Sequence, residues 1–280
     1  MDSTAAALAA FDAMGSSSDF TAQLWLLKLG ALLNLYFLSN TVSSSSAVDV
    51  ELLIPARIFF VVSAYRCLFP VRYEHNVVFH DSPFSSIFLT RLLATFSEVT
   101  YVYQFSAVLR LLNVNHVVWV DALSWVMVLQ VVISQCLVWG AILTERLALY
   151  FYEELGWATI FAINTIASGY LCATVDNLGD AKLLLYLSLL FGAGYLPWQL
   201  FHLRALHAQA ERDTEAIERR TPTWTILKEG LRRSLRARNP RRDAASWGGF
   251  IGLTWMIGYW ATLIPLWVNT IVVVSSRHAL

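Results

Sequence analysis

The chain has 280 residues, of which 57% are apolar and only 14% charged. That is too little charge to clothe a water-facing surface of this size, which excludes an ordinary soluble domain. The formal net charge is zero, yet 11 of the 20 Lys and Arg lie between Arg204 and Arg242. The local balance therefore carries information that the total hides.

In chain order, residues 1–19 hold Asp2, Asp12 and Asp19 but no Lys or Arg. A secretory signal starts basic and a transit peptide is rich in Arg, so neither is expected. A bilayer crossing takes about 20 apolar residues. Seven stretches meet that demand, at 20–39, 51–69, 86–112, 117–143, 157–175, 183–203 and 247–274. The first contains Lys28, and the fourth and fifth are separated only by a run punctuated by Glu145, Arg146, Glu153 and Glu154. The expected fold class is all-α, a polytopic transmembrane helical bundle of about seven spans. Its parts are an amino-terminal segment 1–19, a six-span region 20–203, a basic loop 204–246 and a last span with a short tail, 247–280. No internal repeat relates the two halves, which argues against an inverted-repeat transporter.

Orientation follows from the tendency of Lys and Arg near spans to stay on the cytoplasmic side. The basic loop then faces the cytoplasm, and seven spans place the amino terminus inside and the carboxyl terminus outside or in a lumen. An endomembrane, the endoplasmic reticulum first, is the expected compartment. Within the loop, residues 205–220 read as an extension of the sixth helix, with Glu215 and Arg219 four apart in the favourable order for an ion pair. Thr221-Pro222 breaks that helix, and Trp224, Leu227, Leu231 and Leu235 then recur at helical spacing among Lys228, Arg232, Arg233, Arg236 and Arg238. Such a helix lies in a membrane interface, where each cation near anionic lipid contributes about 1 kcal/mol. The expected partners are membrane lipids, with 221–242 on an anionic lipid surface. Nucleic acid is not expected, because these cations abut a span. A loop that merely fixes topology accounts for the same charges.

Charges inside spans cost at least about 2.5–3.5 kcal/mol on insertion scales and so come with partners or cavities. Glu98 lies ~18 Å from the cytoplasmic side and Arg57 ~20 Å, counting the helical rise per residue. The two are expected to pair as the candidate catalytic groups, with Lys28 at ~12 Å as a competitor. Arg91, Ala94, Glu98 and Tyr101 share a face of the third helix, and Gln104 continues near it. Gln130, Gln135 and Asn164 either join a polar cavity or link helices at about 0.6 kcal/mol each. Pro197 and Pro265 permit kinks.

The densest polar stretch runs over residues 65–91. Arg66, Arg72 and Arg91 suit a phosphate or carboxylate headgroup, which guanidinium binds bidentately. With His75, His80, Asp81, Tyr101 and Gln104 they form the candidate substrate-binding set. Simple anchoring by positive charge explains the arginines equally, and Asp81 or Ser82 reads as a helix cap with Pro83 in the first turn.

Several chemistries are disfavoured. The sequence has no clustered His boxes, no Asp-rich diphosphate motif, no Gly-rich phosphate loop and no lysine in its last span. Cys67, Cys136 and Cys172 each sit within apolar runs, as buried small side chains rather than a disulfide frame or a metal site, and the residues name no cofactor either way. Three function classes remain. In the first, a membrane-embedded enzyme acts on a lipid or isoprenoid, with Glu98 as general acid and some of the 38 aromatic residues lining an apolar pocket. In the second, a small transporter or channel lets Glu98 and Arg57 exchange partners. The third is a non-catalytic assembly subunit. Clustering of polar groups toward one leaflet favours the enzyme.

Overall fold

The computed structural model describes residues 19–44, 48–175, 178–217 and 224–278. Long helices dominate them: α1 (Thr21–Ser43), α2 (Val50–Leu68), α3 (Ile87–Leu112), α4 (Val118–Thr144), α5 (Leu147–Thr174) and α6 (Lys182–Ile217). After them come α7 (Trp224–Arg236), α8 (Gly249–Met256) and α9 (Leu263–His278). Five stretches are long and apolar enough to cross a membrane: α1, α4, α5, most of α6, and Gly249–Arg277. The two other helices expected to span, α2 and α3, carry more charge: Glu51, Arg57 and Arg66, and Arg91, Glu98 and Arg110. Large apolar side chains such as Leu32, Leu129, Leu190 and Phe201 are at least 60% exposed, an outer surface suited to lipid rather than water.

Local chemistry sets the helix starts. Asp19 accepts from the Thr21 N–H and hydroxyl at 2.8 and 2.6 Å, and Asp49 caps α2 through the Glu51 N–H. Ser82 caps only a short 3-10 turn, Pro83–Ser85, and Ser86 caps α3 itself. Between α4 and α5 the break is just Glu145-Arg146. Glu145 adopts a left-handed conformation, φ 58°, and its N–H closes on the Ala141 carbonyl at 2.8 Å. Helix α5 thus begins at Leu147, not near 157 as the charges suggested. Glu153 and Glu154 lie inside it because the bundle supplies a polar cavity for them.

Helix α6 runs unbroken through Pro197 and past 203, as the expected extension requires. The Glu215–Arg219 pair and the Thr221-Pro222 break fall outside the described residues. The last long helix breaks at Thr262, φ −133°, after a π-helical turn, Ile257–Ala261. Pro265 then sits in the first turn of α9, where its missing N–H is harmless. The break frees the Trp260 carbonyl, which accepts from Asn34 Nδ2 at 2.8 Å and faces the Cys67 thiol at 3.4 Å. Gly30 permits this approach, since a Cβ there would meet that of Ala261 at 2.4 Å.

Consecutive helices pack as antiparallel neighbours from α1 to α6. Helix α9 returns beside α1 and α2 and touches α6 only lightly. One end of the bundle, the loop end, carries a small sheet that sequence reading did not anticipate. Strand β1 (Val71–Arg72) pairs antiparallel with β2 (Val77–Val78), and β2 pairs parallel with β3 (Asn239–Pro240). Across this end lies α7. Its Gly230 rests against Leu143, where a Cβ would fall 2.0 Å from the carbonyl oxygen. Ser86 donates to the Ser234 carbonyl at 3.1 Å, and Arg233 reaches the Ile142 carbonyl and Glu145 at 3.2 and 3.1 Å. Trp224, Leu231 and Leu235 remain exposed.

Candidate functional site

The loop-end half of the bundle encloses a cavity of about 530 Å³. Its walls come from α2, the β1 loop, α3, α5, α6 and α8. Charged and titratable side chains line it: Arg66, Arg72, Arg91, Glu74, Glu98, Glu153, Glu154 and His202. Around them stand Trp157, Trp198, Trp247, Trp255 and Trp260, with Tyr73, Tyr150 and Tyr259.

At its centre Arg91 grips Glu98, at 2.7 and 3.3 Å through two nitrogens. The residues are seven apart, two turns along one face of α3 and about 10.5 Å of helical rise. Helical side chains lean toward the amino terminus, so Glu98 comes back to meet the long arginine. Gln135 of α4 bridges both partners, accepting from Arg91 and donating to Glu98 at 2.9 Å. All three are buried, and bidentate, amide-buttressed geometry is what a desolvated ion pair requires to persist.

This corrects the expected Arg57–Glu98 pair. Arg57 turns instead toward α1, where it donates to the Thr41 hydroxyl at 3.2 Å and the Thr41 carbonyl at 2.9 Å. Rotation about the α2 axis points Arg57 toward α1 and away from α3. Lys28 packs over the Trp25 ring at 4.0 Å and does not compete for Glu98.

Of the candidate substrate-binding residues, Arg66, Arg72 and Arg91 line the cavity with Glu98. Arg72 is engaged, by Glu74 and by the Ser246 carbonyl at 3.2 Å. Tyr101 is fully buried behind the wall, stacked on Trp157 at 5.8 Å and edge-on to Tyr259. Gln104 ties α3 to the Leu52 carbonyl at 2.8 Å. His75, His80 and Asp81 stand apart from the cavity. His75 is exposed, His80 packs on Trp25 and Phe79, and Asp81 pairs with Arg238 at 2.9 Å.

Sequence reading missed Glu153, Glu154, His202 and the tryptophans. Two adjacent carboxylates one to two turns into a helix of membrane length were themselves the signal. Gln199 holds Glu154 at 2.8 Å. Glu153, 7% exposed, forms no ion pair among the described residues. His202 stacks on Trp198 at 5.0 Å, and Trp198 on Trp255 at 5.2 Å.

A second, apolar groove of about 400 Å³ adjoins the cavity and shares Trp198, Ile251, Trp255 and Tyr259 with it. Phe191, Phe250, Thr254, Gly258, Leu263 and Ile264 complete it. It occupies the gap where α6 stands off α8 and α9, and Leu263, 61% exposed, marks its open side. The apolar groove on the flank and the charged cavity thus lie against the same four side chains. That arrangement can hold an amphiphile and move protons at its head. Among the described residues no group of three or more His, Cys, Asp or Glu is placed to hold a metal ion.

Compared with known proteins, the chain matches no family description, no curated protein and no solved structure. Its geometry alone carries the functional reading.

Proposed function

We propose that this chain is a seven-span membrane protein, loop end toward the cytoplasm, that draws an amphipathic lipid-type substrate from the bilayer and carries out acid–base chemistry on its head. The carrying observation is that the apolar groove and the charged cavity adjoin, sharing Trp198, Ile251, Trp255 and Tyr259 in their linings. A substrate arriving from lipid keeps its tail in the groove while its head reaches Glu153 and Glu98. Glu98 is committed to Arg91 and Gln135, so its role is to hold that guanidinium in place. Glu153 has no ion pair among the described residues and serves as the proton-transferring carboxylate. The floor of Tyr101, Tyr259 and Trp157 supports a blind pocket rather than a through-path. Helices α2 and α3 cross the bilayer with Arg66, Arg91 and Glu98 turned inward. Helix α7 lies in the interface, its exposed Trp224, Leu231 and Leu235 toward acyl chains and its cations toward anionic headgroups.

Reconstituting the protein with a total lipid extract and following lipid species by mass spectrometry tests this reading. Conversion of a lipid by the native chain, reduced about 100-fold or more in Glu153→Gln with folding retained, supports it. Solute flux across the vesicle wall without lipid conversion replaces it with transport.

A further inference from the structure

Arg66 presents an energetic problem that the rest of the cavity does not solve. It is 94% buried by its 6% exposure, yet among the described residues it forms no ion pair. Its one hydrogen bond is a long one, 3.4 Å, to the Val71 carbonyl. The Nε and the other terminal nitrogen are buried with no acceptor. A guanidinium cannot shed its proton to escape the cost, and an uncompensated charge away from water is strongly destabilising. Stacking on Trp260 at 4.9 Å and Tyr73 at 5.3 Å offsets only part of it.

The same spot gathers other unused donors. Arg91 lies on Tyr73 at 5.5 Å, so the two guanidiniums share contact with one ring. Arg91 Nε and the Tyr73 hydroxyl are also buried without partners. Four donors on three cavity residues are therefore unanswered, and two of those residues carry positive charge.

We propose that Arg66, with Arg91 Nε and the Tyr73 hydroxyl, is the anchoring site for an oxyanion headgroup, a phosphate or carboxylate borne on a single apolar chain. This rests on the lipid reading above and narrows it from amphiphiles in general to anionic ones. Guanidinium donors match two oxygens of such a group, and its charge neutralises Arg66. Arg72 is no part of the site, because Glu74 and the Ser246 carbonyl already occupy it. The adjoining apolar groove supplies the space for the chain.

The test uses the full protein in nanodiscs of neutral phosphatidylcholine, read through the cavity tryptophans. 12-Bromododecyl phosphate quenches tryptophan only on close approach, and 12-bromododecanol is its uncharged counterpart. Saturable quenching by the phosphate is expected at concentrations about tenfold below the alcohol. Arg66→Gln should weaken the phosphate by about tenfold or more, Arg66→Lys less, and neither should change binding of the alcohol. Tyr73→Phe, outside the long helices, should weaken it by about threefold and covers the case in which Arg66 variants misfold. Equal binding of phosphate and alcohol, unchanged in Arg66→Gln and Tyr73→Phe, overturns the anchor while leaving the lipid reading intact. Quenching by neither probe overturns both. Displacement of the probe by inorganic phosphate at the same concentration as unbrominated dodecyl phosphate overturns the lipid source in favour of a soluble anion.

Discussion

Arg91 and Glu98 close an ion pair along their own helix, two turns apart, with Gln135 of the neighbouring helix bonded to both. The site is thereby organised from α3 outward, and α2 contributes Arg66 to it rather than Arg57.

Breaking this pair from one side strands a charge. Arg91→Met should destabilise the protein by about 3–5 kcal/mol, and Arg91→Met with Glu98→Met together should recover most of that loss. Denaturant titrations in mixed micelles measure it. Simple additivity of the two single changes would contradict the pairing.

Arg57 stands outside that network. Arg57→Ala should cost only about 1 kcal/mol, the worth of its bonds to Thr41. Its effect should add to that of Glu98→Gln in the same titration, whereas a non-additive result would restore the Arg57–Glu98 link.

How far the sequence reveals this site depends on which coordinate is asked for. The shared face of Arg91, Ala94, Glu98 and Tyr101 is legible from helical spacing. Rotation about a helix axis is not, because α2 is polar at several azimuths and spacing alone does not say which side meets α3. Glu153 and Glu154 were read as a break, since adjacent carboxylates interrupt a hydropathy profile whether they end a helix or face a cavity. The amphipathic α7 was plain from Trp224, Leu231 and Leu235. The strands at Val71, Val77 and Asn239 are two residues each, too short to show alternation. The π-helical turn before Thr262 leaves no periodic trace either.

Docking of α7 depends on Gly230. Gly230→Ala places a methyl group against the Leu143 backbone, which cannot withdraw as a flexible side chain would. The expected cost is about 1–3 kcal/mol, seen as faster proteolysis after Arg232 and Arg233 in nanodiscs. Unchanged proteolysis would show that α7 is not held by this contact.

His80 gives a pH signature at the loop end. Its Nε2 is buried without a partner, and burial, then the nearby Lys28 and Arg242, lower its pKa below the ordinary histidine value. The folded state thus prefers neutral His80. Its contribution is complete above about pH 6.5, the unfolded value, and is lost as pH falls through the lower folded value. Amide protection factors at Val77, Val78 and Phe79, taken relative to the intrinsic exchange rate at each pH, should fall between pH 7.5 and 5, and His80→Gln should flatten the response. Protection factors that rise on acidification would reverse the sign and refute this assignment.

The most direct measurement is crosslinking by a bilayer lipid that carries a photoreactive group on its acyl chain, mapped by peptide mass spectrometry. Labelling is predicted to concentrate on Trp198, Ile251 and Trp255. Gly258→Phe, which fills a groove position with open space beside it (Leu263 is the nearest side chain, at 3.4 Å), should abolish it. Labels spread evenly over outward residues such as Leu190 and Leu200, unchanged by Gly258→Phe, would contradict entry of lipid into this cavity.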